Sequence, residues 1–263
     1  MSDIYVPIEK SYLTHESGTE VDFHTHQRGQ LTIAKRGSVR IQTQQGWWLA
    51  IPGTAIWVPA GIRHRAAYTE TSELLNLRFE ASQLKIPEQV SLLVVSALLM
   101  ALAEQAQQLA SSQTEQLDLI RQLLGFQLQD AYSSSSFFIA DGKDKRLRAI
   151  TKMLKENPGC SMTLGQLASF ANSSQRTIAR LFEKETQMSF TLWRERLRIM
   201  TAIERLIIGE PITKVAFDMG FQSSSSFSTA FRKMIGVPPS QYIRQLQTRS
   251  IADNNDETKL HLL

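Results

Sequence analysis

Of the 263 residues one is cysteine, Cys160. No disulfide can form within the chain, which points to a reducing compartment. The thiol reads first as a small buried apolar group, with a redox role as the alternative. Long apolar runs are also missing. The longest, Leu92 to Ala103 with Ser96 inside it, is about half the length that a bilayer-spanning helix requires. The opening MSDIYVPIEK lacks the basic-then-apolar pattern of a leader, so the expectation is a cytoplasmic protein with no membrane contact. Basic residues outnumber acidic ones only between residues 143 and 250. Residues 1–142 carry ten Lys/Arg against fourteen Asp/Glu, residues 143–250 eighteen against eight, and residues 251–263 one against three. Only the second half is therefore suited to meet a polyanion. With 42% hydrophobic and 21% charged residues, the chain has ample material for folded cores.

What is present divides by period. From about residue 20 to 80, the runs LTIA, SVRIQT, WWLAI, AIWVP and LLNLRF are punctuated by RG, QQG, PG and PAG. In SVRIQT, Val39 and Ile41 alternate with Arg40 and Gln42, as in a strand with one wet face. Several short strands at this spacing suggest a small sandwich or barrel. Past Pro87, residues 88–110 and 115–131 have helical composition. The first is apolar on nearly every side, so it needs cover on every side. That cover is either the second helix and the barrel, or a partner subunit. The serine run in AYSSSSFF (131–138) has no apolar periodicity around it and reads as a linker.

Beyond it a 3.6-residue period takes over. Leu147, Ile150, Met153 and Leu154 form one stripe, ended by Asn157-Pro158-Gly159. Thr163 and Gln166 have capping-box spacing at the head of the short helix LGQLASFA. A tight polar turn follows, then SQRTIARLFEKET, the outline of a helix-turn-helix. There Ile178, Leu181 and Phe182 face inward and Gln175, Arg176, Ala179 and Arg180 outward. Such a face suits a major groove, with Arg for guanine edges, Gln for adenine and small residues for close approach. An ordinary solvated helix face is the alternative for one such motif. A second copy follows the long helix TLWRERLRIMTAIERLII: the short helix ITKVAFDMGF, then SSSSFSTAFRKM with Phe227 and Phe231 on one face. Ser223 or Ser224 can cap this last helix, leaving Ser225, Ser226, Ser228 and Thr229 outward, where hydroxyls can meet phosphates and base edges.

Residues 163–242, through SSQRTIARLFEKET and ITKVAFDMGFQSSSSFSTAFRKMIGVPPSQYIR, closely resemble the DNA-binding domain of AraC/XylS-family transcription regulators. The resemblance implies two helix-turn-helix units joined by a long helix, with their reading helices in successive major grooves. The DNA-contacting set it suggests, with the outward residues above, is Gln175, Arg176, Thr177, Ala179, Arg180, Ser224, Ser225, Ser226, Ser228, Thr229 and Arg232. Thr229 stands where many members have Arg. Base discrimination is therefore expected mainly from the first unit and phosphate anchoring from the second.

In the first half, Gly18, His24, His26, Gln30 and Gly37, then Gly53, Pro59, Gly61 and His64, are spaced similarly to the two cupin motifs. That resemblance implies a small β-barrel in which His24, His26, Gln30 and His64 hold one divalent ion, with Zn, Ni or Fe suited to imidazole. Gln30 departs from the family's Glu and removes a negative charge. The alternative is that these histidines hydrogen-bond inside the barrel and line a pocket for an organic effector. Trp48, Trp57 and Tyr68 could stack on a ligand in the barrel mouth, or else serve as core or interface aromatics.

The expected architecture is thus α+β and multi-domain: a cupin-like barrel at 1–87, a helical dimerisation segment at 88–132 and a linker at 133–145. An all-α double helix-turn-helix domain at 146–246 and a loose tail at 247–263 complete it. The expected function is a transcription regulator, not an enzyme. It would bind double-stranded promoter DNA as a homodimer, answer to a small-molecule or metal effector in the barrel, and act with RNA polymerase. A metal-dependent cupin oxygenase or isomerase with a DNA-binding appendage is the rival; Gln30 and the lack of an acid–base pair beside the histidines count against it. An effector-independent architectural DNA binder is the third reading.

Overall fold

A computed structural model of the chain describes residues 6–81, 84, 86–129 and 137–245. The expected tail, and the expected linker as far as residue 136, lie outside the described residues. The strands in chain order are β1 (Ile8–His15), β2 (Glu20–His24), β3 (Gly29–Arg36), β4 (Val39–Gln42), β5 (Gly46–Ala50), β6 (Thr54–Val58), β7 (His64–Ala67), β8 (Ser72–Phe79), β9 (Ser91–Val94) and β10 (Phe138–Ala140). They form two five-stranded sheets, ordered β1-β8-β3-β6-β9 and β10-β5-β4-β7-β2.

Alternation explains how the first sheet is covered. Successive side chains leave a strand on opposite faces. In β8, Leu75, Leu77 and Phe79 enter one apolar cluster and Leu74 the other. The first cluster lies against two helices, α1 (Ala97–Gln108) and α2 (Thr114–Gln129), through Leu99, Leu102, Ala103, Leu117, Leu124 and Leu128. The second fills the space between the sheets with Val39, Ile41, Trp48, Ile56, Val58, Ala66 and Tyr68. Gly29 lets β3 pass under the Trp57 ring, which a Cβ at that position would strike.

The stretch at 91–94 departs from the helix expected there. Leu92 is buried in the inter-sheet cluster and Leu93 in the helix-side cluster, so β9 is covered on both faces. A strand buried on both faces loses the alternation that would distinguish it from a buried helix. The helix begins only after Ser96, whose side chain accepts from the Leu99 amide. Nor is α1 buried on all sides, since Leu98 is 51% exposed.

The chain divides into two units, residues 1–138 and 139–263. In the second, α3 (Lys145–Glu156), α4 (Leu164–Phe170), α5 (Gln175–Thr186), α6 (Phe190–Ile207), α7 (Ile212–Asp218) and α8 (Ser224–Ile235) precede a further helical stretch at 239–245. The central helix α6 packs against α5, α7 and α8, burying Trp193, Leu197, Met200, Ile203 and Leu206. Its Arg198 is a staple rather than a surface charge. The guanidinium donates to the carbonyls of Pro158 (3.1 Å), Cys160 (2.9 Å) and Gly220 (3.1 Å), tying the turn after α3 to the turn before α8. Gly220 holds φ at +72° there, and a Cβ would meet that guanidinium.

The described part of the expected linker is anchored rather than loose. Trp193 Nε1 donates to the Ala140 carbonyl (2.8 Å), Lys155 pairs with Asp141, and the Lys143 and Asp144 amides donate to Glu185. Each of these partners lies on a helix of the second unit, which no local pattern around the serine run reveals. No helix among the described residues is long and apolar enough to cross a membrane.

Candidate nucleic-acid interface and histidine cluster

Two helix-turn-helix units are built by their caps. In the first, Thr163 and Gln166 form a reciprocal capping box at the start of α4. Asn172 turns the chain at φ +48°, a left-handed conformation that Asn tolerates better than most residues. Ser174 then accepts from the Thr177 amide to start α5. With Ile178, Leu181 and Phe182 buried, Gln175, Arg176 and Arg180 are exposed, while Thr177 and Ala179 are half-buried. The Thr177 hydroxyl is also engaged with that of Ser174 (2.9 Å).

In the second unit α7 leads into α8, whose N-cap is Ser223 rather than Ser224. Its partner in a capping box is Ser226, whose hydroxyl donates to the Ser223 carbonyl (2.8 Å) and accepts from the Ser223 amide (3.2 Å). Thr229 bonds back to the Ser225 carbonyl (3.0 Å). So although Ser225, Ser226, Thr229 and Arg232 are exposed and Ser224 and Ser228 half-buried, two of the five hydroxyls already serve the helix. Four successive serines make capping positions indistinguishable by residue type, so the sequence alone left Ser223 and Ser224 equal.

The barrel gathers a second set of groups. β2 and β7 pair so that His24 lies opposite His64, with a register shift before His24. His26 sits two residues past the end of β2, rather than on it, yet its ring stands 4.7 Å from His24 and 4.9 Å from His64, centroid to centroid. Each of the three can offer one ring nitrogen, all within 4.8 Å of one another. Nitrogens bound to one ion at ~2.1 Å lie about 3–3.5 Å apart, so the trio surrounds a common point and must close slightly on an ion. His24 Nδ1 lies 2.7 Å from the Asp22 carbonyl and His64 Nδ1 2.9 Å from the Ile62 carbonyl. A carbonyl only accepts, so both Nδ1 atoms carry the proton and both Nε2 atoms keep a free lone pair. His26 Nε2 is buried without a hydrogen-bond partner. Burial, and then the nearby Arg78 charge and the other two rings, push His26 down to about 4; burial also leads the lowering at His64. An all-imidazole set of this kind fits a divalent ion of borderline softness.

Four expected site residues have partners of their own. Gln30, the expected fourth donor, turns its carbonyl oxygen to Arg78 Nε (2.7 Å) and its amide to Thr32 (2.9 Å). It pairs with Arg78 in register across β3 and β8, and a buried amide takes the charged donor beside it. Trp57 faces the helices, not the space between the sheets, and donates to the Pro87 carbonyl (2.9 Å). Its neighbours on β6, Ile56 and Val58, are the ones that face inward. Trp48 does lie between the sheets, but stacked on Phe138, and Tyr68 is stacked on His15; both are buried. Burial raises the Tyr68 hydroxyl to about 12. Arg78 and Asn76, by contrast, were not expected in the site. They alternate with Leu75, Leu77 and Phe79 and so share the inner face with Leu74. The alternation in LLNLRF carried that signal.

Known proteins match this arrangement. Residues 11–128 match the AraC-like ligand binding domain and residues 167–245 a helix-turn-helix domain. The HTH-type transcriptional regulator NimR of Escherichia coli K12 is 30% identical over 229 residues, covering 86% of this chain and 84% of its own. The chain belongs to the AraC/XylS family of transcription regulators. Another similar protein, the probable transcriptional regulator LumQ of Photobacterium leiognathi, is 24% identical over 234 residues, covering 84% of this chain and 91% of its own. Among solved structures, fatty-acid-bound ToxT from Vibrio cholerae aligns with 92% of this chain and 97% of that one, at 15% identity and a TM-score of 0.38. As an AraC/XylS regulator, the chain carries an N-terminal ligand-binding domain and a C-terminal DNA-binding domain, and its relatives are regulators of transcription.

Proposed function

We propose that the regulator reads its operator through the outward faces of α5 and α8, with unequal shares. Arg176 and Arg180, supported by Gln175, Thr177 and Ala179, carry most of the base discrimination. Ser224, Ser225, Ser228 and Arg232 mainly anchor phosphates, while Ser226 and Thr229 hold the helix in shape. The observation that carries this division is the hydrogen bonding of α8: Ser226 and Thr229 are committed to backbone groups, whereas Arg176 and Arg180 are exposed on α5. A bidentate Arg–guanine contact is worth about 1–3 kcal/mol of discrimination, more than a hydroxyl can supply. Operator selection from random duplexes should show Arg180→Ala losing preference at one base position. The division is wrong if Ser225→Ala and Thr229→Ala each relax the selected sequence more than Arg180→Ala does.

The same reading makes the working unit a homodimer, joined through the exposed side of α2, acting in the cytoplasm on promoter DNA with RNA polymerase as a partner. In the barrel, His24, His26 and His64 hold one divalent ion, Zn, Ni or Fe, through Nε2. The support is the orientation of the His24 and His64 Nδ1 protons and the orphan nitrogen of His26. When bound, such an ion supplies a Lewis-acidic position for an effector. Elemental analysis of full-length chain purified without an affinity tag should find one ion per chain, and none under metal-replete growth would refute this part.

A further inference from the structure

The barrel interior has a charge that nothing described beside it neutralises. Arg78 is half-buried on the inner face of β8, its Nε held by Gln30. Among the described residues no carboxylate forms an ion pair with it, whereas Arg28, Lys35, Arg36 and Arg65 of the same unit each have at least one. The guanidinium is close enough to His26 and His64 for its charge to bear on both. A divalent ion held on those rings would add positive charge to the same space. A charge taken from water without a partner is costly. Asn76, one pair along β8 from Arg78 and 5% exposed, has a buried amide oxygen without a partner. The interior therefore presents a cation, a trio of lone pairs and an acceptor in want of a donor.

We propose that the effector is a small hydroxycarboxylate: its carboxylate seats on the Arg78 guanidinium and its hydroxyl donates to Asn76. Gln30, where the cupin pattern has an acid, is central to this. A glutamate there would pair with Arg78 and cancel the charge, whereas the amide orients the guanidinium and leaves its charge available. Arg matches a carboxylate with two parallel N–H donors, a geometry that an alcohol of the same shape cannot return. Where the ion is present, the carboxylate also completes its coordination; that part rests on the metal reading above.

The test uses the full-length chain loaded with cobalt(II), whose visible bands report coordination, titrated with lactate, propionate and the neutral isostere propane-1,2-diol. Lactate should shift the bands at the lowest concentration, propionate next, and the diol not at all. Arg78→Gln should bind cobalt as the parent does and weaken lactate at least tenfold. Arg78→Lys keeps charge without the fork and should fall between. Equal response to lactate and the diol in the parent chain, or undiminished lactate affinity in Arg78→Gln, overturns the proposal, and the first comparison needs no variant. If cobalt does not bind, the metal reading alone fails. The same titrations followed by tryptophan fluorescence, with Trp48 in the same interior, then decide: a lactate response lost in Arg78→Gln upholds the anion site, and no response to either carboxylate sinks it.

Discussion

Glu210 shows how one side chain can hold a junction. It accepts two hydrogen bonds from Arg205 (2.7 and 2.6 Å) and pairs with Lys214 (2.9 Å), so that α6 is tied to α7 across the turn. Hydrogen bonds from Arg205, then Lys214, hold its carboxyl down at about 2, against an ordinary 4.5. A depressed carboxylate contributes fully above its unfolded value and loses that contribution as pH falls toward the folded one. Stability of the helical unit should therefore decline between pH 4.5 and about 2, and Glu210→Gln should flatten that decline in urea melts. An identical acid limb in the two proteins would contradict this. Legibility also varied residue by residue. The resemblance to the cupin motifs pointed to the grouping of His24, His26 and His64, although His26 lies past the end of β2. The alternation in LLNLRF put Asn76 and Arg78 on one face without telling which one, because an arginine between Leu77 and Phe79 reads as the wet face of a strand until the opposing sheet is known. Nothing in the sequence marks Arg198 out, since only the folded chain brings three carbonyls to it.

At the scale of elements, α2 is two-sided. Leu117, Leu124 and Leu128 face the first sheet, while Leu119, Leu123 and Phe126 are 56%, 46% and 59% exposed. Those three fall at i, i+4 and i+7, a single stripe along the outside of the helix. Such a stripe on a folded unit is the mark of an association surface, and a C2 dimer would lay it against its own copy. Leu123→Asp should turn a sedimenting dimer into a monomer with an unchanged far-UV spectrum; unaltered sedimentation, or a monomeric parent, would rule the face out. Helix starts in the second unit were legible where one residue type marks them, as at Thr163 and Ser174. Element type failed where burial is double-sided, as in β9, since Leu92 and Leu93 are both apolar yet point to opposite clusters.

At the scale of the molecule, the charge asymmetry of the sequence and its two units agree. The acidic half folds as the ligand-binding unit, and the basic half carries α5 and α8 on one scaffold, α6. Binding through Arg and Lys releases counterions, so affinity must fall steeply with salt whatever the sequence, while base contacts add a preference that survives it. The deciding measurement is equilibrium binding of the full-length chain to its selected duplex and to random duplex at about 0.15 M salt, a range where specific sites are typically favoured by ~10³ or more. The account predicts a preference of that order, reduced at least tenfold in the Arg176→Ala/Arg180→Ala double variant. Equal affinity for the two duplexes, or a preference untouched by the double variant, would contradict it.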